Sequence, residues 1–322
     1  MKVAAAQIRP VWLDPERTVQ RIIDTIAEAA ALGVDLLAFP EAYLSGYPFW
    51  LCRTNAAAFD DARQRQAYAA FLDAAVEISS PLVARVAEAA RDSGVSVYLG
   101  MNERGTSAGR GSIWCTMLAI HRETGVLGAH RKLMPTHDER LCWAIGDAHG
   151  LRVHDFGGLR GSALNCWENW MPQARYALYA GGAEVHFAAW PGNAEVANVA
   201  PEFIAREGRL WVVSVMGLLS MADIPATFPF HEQLVAEGVD TIFRGGSRIV
   251  SPAGEVVAEG PADFEGLIAA DVDLALLAGA RQSLDPTGHY ARTDIFDVTI
   301  RGDRPEAVLW TGCSGDRGKT GA

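Results

Sequence analysis

The chain has 322 residues, of which 49% are apolar and 21% are charged, and these values are ordinary for a globular protein with a large core. Its formal net charge of −11 is not accompanied by clusters of Lys and Arg, which excludes nucleic acid as an expected partner. No stretch approaches the ~20 apolar residues of a membrane helix, and the first residues lack the pattern of a signal peptide, so the sequence predicts a cytoplasmic protein that binds no membrane.

The first hundred residues alternate between strand and helix patterns. Asp14 and Pro15 form a helix start, and the apolar residues that follow keep helical spacing until Gly33. Strand patterns cover residues 2–8, 34–39 and 95–99, and a long Ala-rich helical region covers 60–91 with an interruption at Pro81. The second strand pattern stops at Pro40 and Glu41, and therefore places a carboxylate at a strand end.

Hairpin signals occur beyond residue 112. Turn residues at 123–125 separate strand patterns over 113–120 and 126–130, and a second turn at 251–254 separates two short apolar runs. The other strand patterns cover 162–165, 185–189, 211–216 and 265–272, and the other helix patterns cover 170–180 and 201–209. Hairpins mixed with crossover helices predict an α/β protein with two facing mixed sheets, arranged as a four-layer α-β-β-α sandwich. No linker or repeat divides residues 1–300, which predicts one domain there and a loose C-terminal tail over 301–322.

Cys166 lies where a predicted strand ends and a helix begins within a few residues. Backbone N–H groups and the positive end of the helix dipole face such a position, and both lower the pKa of a thiol. The alternative is a buried cysteine without a chemical role, which is the usual state of a free cysteine. The spacing of the five cysteines (Cys52, Cys115, Cys142, Cys166 and Cys313) indicates neither a disulfide scaffold nor a zinc site, and the eight histidines are dispersed, so no metal is expected.

Two further charged residues follow predicted strands. Lys132 is one of only three lysines in a chain whose other basic residues are arginine, and lysine, unlike arginine, can exchange a proton. Glu41 precedes several aromatic residues, and an apolar environment raises the pKa of a carboxylate into the range of a general base. Exposed strand-end charges are the alternative for both residues. Glu139 lies seven residues after Lys132, and it either orients Lys132 or is a loop charge that pairs with Arg140.

Read together, these segments resemble the nitrilase superfamily of carbon–nitrogen hydrolases. The matching motifs, in the order of the family, are residues 39–43 (FPEAY) with 46–48 (GYP), 131–137 (RKLMPTH) with 139–140 (ER), and 165–169 (NCWEN) with 171–172 (MP). Weaker similarity covers 188–192 and 285–290, so the resemblance spans roughly residues 1–300. The residues of the lysine and cysteine motifs are similar to those of the true nitrilases rather than to those of the carbamoylase, amidase or biotinidase branches.

The resemblance implies a role for each matching residue. Cys166 is the expected nucleophile, Glu41 the base and Lys132 the catalytic cation, while Glu139 supports them and the N–H of Trp167 stabilises developing negative charge. A second set of residues in or beside these motifs is expected to line the substrate pocket: Tyr47, His137 and Trp190.

The resemblance also implies the activity: a small-molecule nitrile is hydrolysed to the carboxylic acid and ammonia through a thioimidate on Cys166, with no cofactor. An amidase using the same Glu-Lys-Cys triad is the alternative, and a catalytically silent scaffold is a third reading that loss of a triad residue would favour. Self-association as a dimer or a higher homo-oligomer is expected from the same resemblance.

Overall fold

The computed structural model describes residues 1–106, 109–197, 199–304 and 308. The strands of this part are β1 (Lys2–Gln7), β2 (Leu36–Ala38), β3 (Ser96–Arg104), β4 (Ile113–His121), β5 (Gly125–Arg131), β6 (His154–Asp155), β7 (Arg160–Asn165), β8 (Val185–Trp190), β9 (Trp211–Met216), β10 (Leu218–Ser220), β11 (Thr241–Arg244), β12 (Arg248–Val250), β13 (Val256–Glu259) and β14 (Gly266–Asp271). They form two six-stranded mixed sheets, with the orders β14-β1-β2-β3-β4-β5 and β13-β12-β9-β8-β7-β6, and a β10-β11 ribbon.

The helices of the described part alternate with these strands. They are α1 (Pro15–Ala31), α2 (Ala62–Ala74), α3 (Pro81–Ser93), α4 (Pro172–Ala180), α5 (Ala194–Ala197), α6 (Ala200–Gly208), α7 (His231–Ala236) and α8 (Leu276–Arg281). Helix α1 begins as the sequence predicts, because the Asp14 carboxylate accepts a hydrogen bond from the N–H of Arg17 and Pro15 occupies the first turn.

Alternation of side chains along the strands builds the layers. In β1, Ala4 and Ala6 pack in the apolar cluster that contains residues of α1 and α3, whereas Val3 and Ala5 pack in the cluster shared with the second sheet. Val213 and Val215 of β9 belong to that same central cluster, while Val212 and Met216 pack with residues of α6. The layers are therefore helix, sheet, sheet and helix, and the predicted α-β-β-α sandwich is confirmed.

Differences from the predicted elements are local. The second strand is only three residues long, and the predicted helix over 170–180 begins at Pro172, after a 3₁₀ turn over Cys166–Trp170. The β10-β11 ribbon has no counterpart among the predicted elements. Within the described ranges, no helix is long and apolar enough to cross a membrane. Most of the predicted tail lies outside the described residues.

Candidate active site

Cys166 occupies a sharp turn directly after β7. Its φ of +49° lies in the left-handed region that residues other than glycine rarely adopt, and the chain continues as the 3₁₀ turn Cys166–Trp170 before α4 begins. Only 3% of the residue is exposed, and that part lines a cavity. The strained turn thus presents the thiol to an enclosed space instead of continuing the strand.

The carboxylate of Glu168 ties this turn to the loop that follows β5. It accepts hydrogen bonds from the N–H of Asn165 (3.0 Å) and the N–H of Leu133 (2.7 Å), and its Oε1 lies 2.9 Å from Nε2 of His130. Leu133 directly follows Lys132. Glu168 therefore fixes the distance between the segment of Cys166 and the segment of Lys132.

A buried chain of hydrogen bonds supports the turn from the opposite side. The Nδ2 of Asn169 donates to the carbonyls of Cys166 (2.9 Å) and Leu164 (3.2 Å), so its Oδ1 accepts from Nε2 of His186 (2.8 Å). The bare Nδ1 of His186 then accepts from the hydroxyl of Ser162 (2.9 Å). Burial lowers the pKa of His186 to about 3, so this imidazole is neutral and keeps one tautomer at neutral pH.

Glu41 is held by a close approach of backbone segments after β2. A Cβ built on Gly100 of β3 would lie 2.0 Å from the carbonyl oxygen of Pro40 and 2.9 Å from Cα of Glu41, so only glycine leaves room for this segment. The side chain of Glu41 is buried, and burial, opposed by the charge of Lys132, raises the pKa of its carboxyl from 4.5 to about 7. The direction agrees with the expectation from sequence.

Lys132, directly after β5, lies between two carboxylates. Its Nζ is 2.7 Å from Oε1 of Glu41 and 2.6 Å from Oε2 of Glu139, and it lies 5.3 Å from the centre of the Trp143 ring. Burial by itself lowers the pKa of a lysine, but the two carboxylates raise the pKa of Lys132 well above its usual value. Lys132 therefore holds its proton in the resting site.

The carboxylate of Glu139 accepts three hydrogen bonds. Its Oε2 accepts from the N–H of Thr136 (2.6 Å) in addition to Lys132, and its Oε1 accepts from the hydroxyl of Tyr47 (2.7 Å). These contacts fix the carboxylate, and the carboxylate in turn fixes the ammonium group. The structure thus excludes the alternative in which Glu139 is a loop charge paired with Arg140.

The structure brings Glu41, Glu139 and Cys166 together around Lys132. One carboxylate oxygen of each glutamate and Sγ of Cys166 lie within 4.8 Å of one another. Burial and the charge of Glu41 raise the pKa of the Cys166 thiol well above its usual value, although Lys132 and a hydrogen bond from the N–H of Trp167 act in the opposite direction. The expectation of a lowered thiol pKa is therefore wrong for the resting site: the turn is too deeply buried for its N–H groups to offset desolvation.

The same three residues are the only set of potential metal ligands of their kind among the described residues. A metal ion there would compete with the ammonium of Lys132, which is already paired with both carboxylates at hydrogen-bonding distance. The donor set therefore fits a resident lysine better than a divalent ion.

The cavity next to these groups has a volume of about 270 Å³. Its lining includes Tyr47, Phe49, Leu51, Cys52, Arg53, His137, Asp138, Cys166, Trp167, Asn193 and Phe243. Of the expected pocket residues, Tyr47 lies inside it and His137 at its exposed edge. Trp190 does not line it. This last residue of β8 has no exposed surface and packs in the apolar cluster with Cys166 and residues of α6, while the next residue, Pro191, reaches the cavity.

Sequence reasoning did not single out several residues that build the site. Cys115 touches Glu41, Gly100 makes room for Glu41, and His186 supports the turn of Cys166 from a distant strand. A partial signal existed for Cys115, because it lies on the predicted strand that pairs with the strand before Lys132. The register shift between Ala119 and Ile120, which brings Cys115 opposite Lys132, has no signal in the sequence. No signal existed for the others, because their contacts depend on how the sheets and loops pack.

Comparisons with known proteins identify the family. The chain matches the carbon-nitrogen hydrolase family over residues 2–282. It is 37% identical over 321 residues to "Nitrilase 2" of an unknown prokaryotic organism, with 98% of each chain covered, and 33% identical over 319 residues to "Aliphatic nitrilase" of Rhodococcus rhodochrous, with 93% of this chain and 82% of the relative covered. A solved amidase from Nesterenkonia sp. has the same fold, with a TM-score of 0.62, 22% identity, and 88% of this chain and 94% of that chain covered. The chain belongs to the carbon–nitrogen hydrolase family, which confirms the resemblance read from its motifs.

Proposed function

We propose that this protein is a nitrilase that converts a small-molecule nitrile into the carboxylic acid and ammonia. The observation that carries the proposal is the cluster formed by the buried ammonium of Lys132, the carboxylate of Glu41 and the thiol of Cys166, next to a cavity that Cys166 and Glu139 line. A nitrile carbon is a weak electrophile, and its attack needs both a thiolate and a cation beside the nitrogen.

The first half of the reaction builds the covalent intermediate. Oε2 of Glu41 is buried and has no hydrogen-bond partner among the described residues, so it is free to accept the proton of the Cys166 thiol. The thiolate adds to the nitrile carbon, which forms a C–S bond and places negative charge on nitrogen. Lys132 stabilises this charge and donates a proton to the strongly basic nitrogen, giving the thioimidate. Because its pKa is high, the ammonium of Lys132 gives up its proton only after this strongly basic nitrogen has formed. Before that point it acts only by stabilising negative charge. The proton that Glu41 took from the thiol then passes to the neutral amine of Lys132, which is hydrogen-bonded to the same carboxyl group, and both groups return to their starting charges.

The second half consumes two water molecules. Glu41 accepts a proton from the first water, whose oxygen adds to the thioimidate carbon. Glu41 passes this proton to the nitrogen, the added hydroxyl gives up its own proton to the same nitrogen, and the C–N bond breaks. Ammonia leaves, a thioester remains on Cys166, and Glu41 is again ionised. A second water, again deprotonated by Glu41, adds to the thioester, and the C–S bond breaks to release the carboxylic acid and the thiol.

An amidase with the same three residues is the second candidate. The curated relatives with names of nitrilases are 33% and 37% identical to this chain, whereas the likeness to the solved amidase, at 22% identity, reflects the shared fold. The comparisons therefore favour the nitrilase. A silent scaffold is the third candidate, and it fits poorly because Glu41, Lys132 and Cys166 are all present and in contact through one cluster.

Ammonia release separates the three candidates. The purified protein is incubated with a panel of aliphatic, arylaliphatic and aromatic nitriles and with the matching amides, next to Cys166→Ala as the control. A nitrilase releases ammonia from nitriles and forms the acid. Release from the amides alone would replace the proposal by the amidase, and release from neither set would leave the scaffold.

We further propose that residues 1–300 form one domain, which acts in the cytoplasm as a dimer or a higher homo-oligomer and without a cofactor. The free thiols Cys52, Cys115 and Cys142 fit a reducing compartment. Several exposed apolar side chains follow one another near the end of the described chain, at Ile295, Phe296, Val298 and Ile300, and they support self-association because apolar patches often mark interfaces. Light scattering showing a monomer at micromolar concentration would contradict the oligomer.

A further inference from the structure

Cys115, a buried cysteine of β4, shares a face of the sheet with Lys132. The antiparallel register pairs Thr116 with Arg131, and the N–H of Lys132 donates to the carbonyl of Cys115 (2.8 Å), which continues the ladder by one pair. Residues that pair across antiparallel strands point to the same side. The thiol of Cys115 therefore lies with the ammonium of Lys132, inside the candidate active site.

The thiol of Cys115 also touches the proposed base. Its Sγ lies 3.5 Å from Oε1 of Glu41, within hydrogen-bonding distance for sulfur, and both side chains are buried. An ionised carboxylate only accepts hydrogen bonds, so the thiol is the donor. Oε1 thus accepts from both Cys115 and Lys132, whereas Oε2 has no partner among the described residues.

We propose that Cys115 is a positioning residue for the base: its thiol and the ammonium of Lys132 together hold Oε1 of Glu41, so that Oε2 is the oxygen that takes the proton of Cys166. This inference rests on the proposed function, because it assigns Glu41 the role of base. It adds a second cysteine to the site, with a task different from that of the nucleophile.

Loss of the Cys115 thiol should shift the pH dependence of the reaction in one direction. The titratable groups that face Glu41 are Lys132, Glu139, Cys115, Cys166 and Tyr47. Among them, the thiol of Cys115 stabilises the ionised form of Glu41 and so lowers a pKa that burial raises. Removal of the thiol therefore raises the pKa of Glu41, and the acid limb of kcat/KM moves to higher pH because the base must be ionised to react.

The test compares three variants with the wild type in full pH profiles of kcat/KM. Cys115→Ala removes the donor and should move the acid limb upward by about half a pH unit, which is roughly a threefold loss below the limb, since a thiol is a weak donor. Cys115→Ser keeps a donor and should keep the wild-type limb. Cys142→Ala removes another buried thiol of the same apolar cluster, one without a described hydrogen bond to Glu41, and should also keep it.

A second measurement separates this inference from the proposed function. The rate at which iodoacetamide alkylates Cys166, followed by peptide mass mapping as pH is varied, reports the transfer of the thiol proton without any nitrile. The limb of this profile should shift upward in Cys115→Ala by the same amount as in turnover. If the alanine variant does not fold, Cys115→Val, which fills the space without a donor, replaces it.

Each outcome decides a different claim. Unshifted limbs in Cys115→Ala or Cys115→Val, or equal shifts in Cys115→Ser and Cys142→Ala, would overturn the role of Cys115 and leave the nitrilase intact. A wild-type protein that releases no ammonia from nitriles would overturn the function, while the alkylation profiles would still show whether Cys115 acts on Glu41.

Discussion

Two regions differ in how their residues are held: the inner end, which is the cluster of Glu41, Lys132 and Glu139 next to the cavity, and the mouth, which is formed around Trp167 and His137. At the inner end, Glu41, Lys132 and Glu139 are 3% exposed or less, and hydrogen bonds of 2.6–2.7 Å join them. At the mouth, Trp167 is 52% exposed and the side chain of His137 is 89% exposed. Under the proposed function, we expect the inner end to carry the chemistry and the mouth to face the variable part of the substrate and to tolerate substitution.

The inner end also depends on both sheets, whereas the mouth is built from loops. Glu41 follows β2 and Lys132 follows β5, both in the first sheet, while Cys166 follows β7 in the second. The packing of the two sheets therefore sets the distance between the base and the nucleophile. Substitutions at the inner end should change kcat, and substitutions at the mouth should change mainly KM.

Loss of the nucleophile should have the largest effect. Cys166→Ala is expected to reduce turnover by at least about ten thousandfold, because no other group forms the covalent intermediate. Thermal unfolding should change little, since alanine keeps the backbone of the turn and removes only the sulfur atom. Alanine at Cys52, by contrast, should leave turnover nearly unchanged. A Cys166→Ala protein with a hundredth of the wild-type rate would contradict the assignment.

Lys132→Arg tests whether the inner end needs a compact cation or only a positive charge. We expect turnover to fall about a thousandfold, comparable to the loss of a main electrostatic donor. The guanidinium is broader than the space between Glu41 and Glu139, and it does not donate a proton to the nitrogen. Lys2→Arg, at a half-buried lysine outside the site, is the control and should behave like the wild type. Retention of a tenth of the activity by Lys132→Arg would remove proton transfer from the mechanism.

Tyr47→Phe removes the hydroxyl that fixes Glu139. The expected loss is about tenfold in kcat, since a hydrogen bond to a charged group is removed while the ring still lines the cavity. Tyr68→Phe, which removes a hydroxyl bonded to a carbonyl away from Lys132, is the control. Equal effects of the two substitutions would mean that Glu139 does not need Tyr47 to hold Lys132.

His137→Ala should have a small effect because the side chain extends from the mouth into solvent. We expect kcat within about threefold of the wild type and any larger change to fall on KM. Steady-state kinetics with one short and one bulky nitrile would show this. A loss in kcat as large as that of Tyr47→Phe would place His137 in the inner end and erase the contrast.

Removal of metal ions should have the smallest effect. Exhaustive chelation is expected to leave turnover unchanged, because the ammonium of Lys132 already pairs with the two carboxylates that a divalent ion would need. Activity lost on chelation and restored by zinc would contradict this.

The sequence predicts strand ends and the motifs at them, but it does not predict which side chains become buried. The sequence predicts Glu41, Lys132 and Cys166 as site residues because each follows a strand in a specific motif, and strand ends are fixed by local apolar patterns. The structure brings these three residues together. The layers of the sandwich followed from the same patterns. Side-chain burial was harder, because it depends on packing between distant segments.

Trp190 and Cys166 show this limit. The sequence places Trp190 beside the site, but the packing of β8 against α6 buries its ring away from the cavity. For Cys166, the strand-to-helix pattern predicts donors that lower the pKa of the thiol, yet burial in the complete fold raises it. In both cases the local sequence pattern places the residue near the site, but its burial depends on tertiary packing that the local pattern does not contain.

The most direct test of the account is the mass of the enzyme during turnover of a slow nitrile. Rapid quenching in acid and intact-mass analysis should show a species heavier by the nitrile, or by the acyl group of the thioester, and peptide mapping should place it on Cys166. Cys166→Ala should show no such species. An adduct on another cysteine, or turnover without any adduct when the reaction is slowed further, would contradict a thioimidate on Cys166.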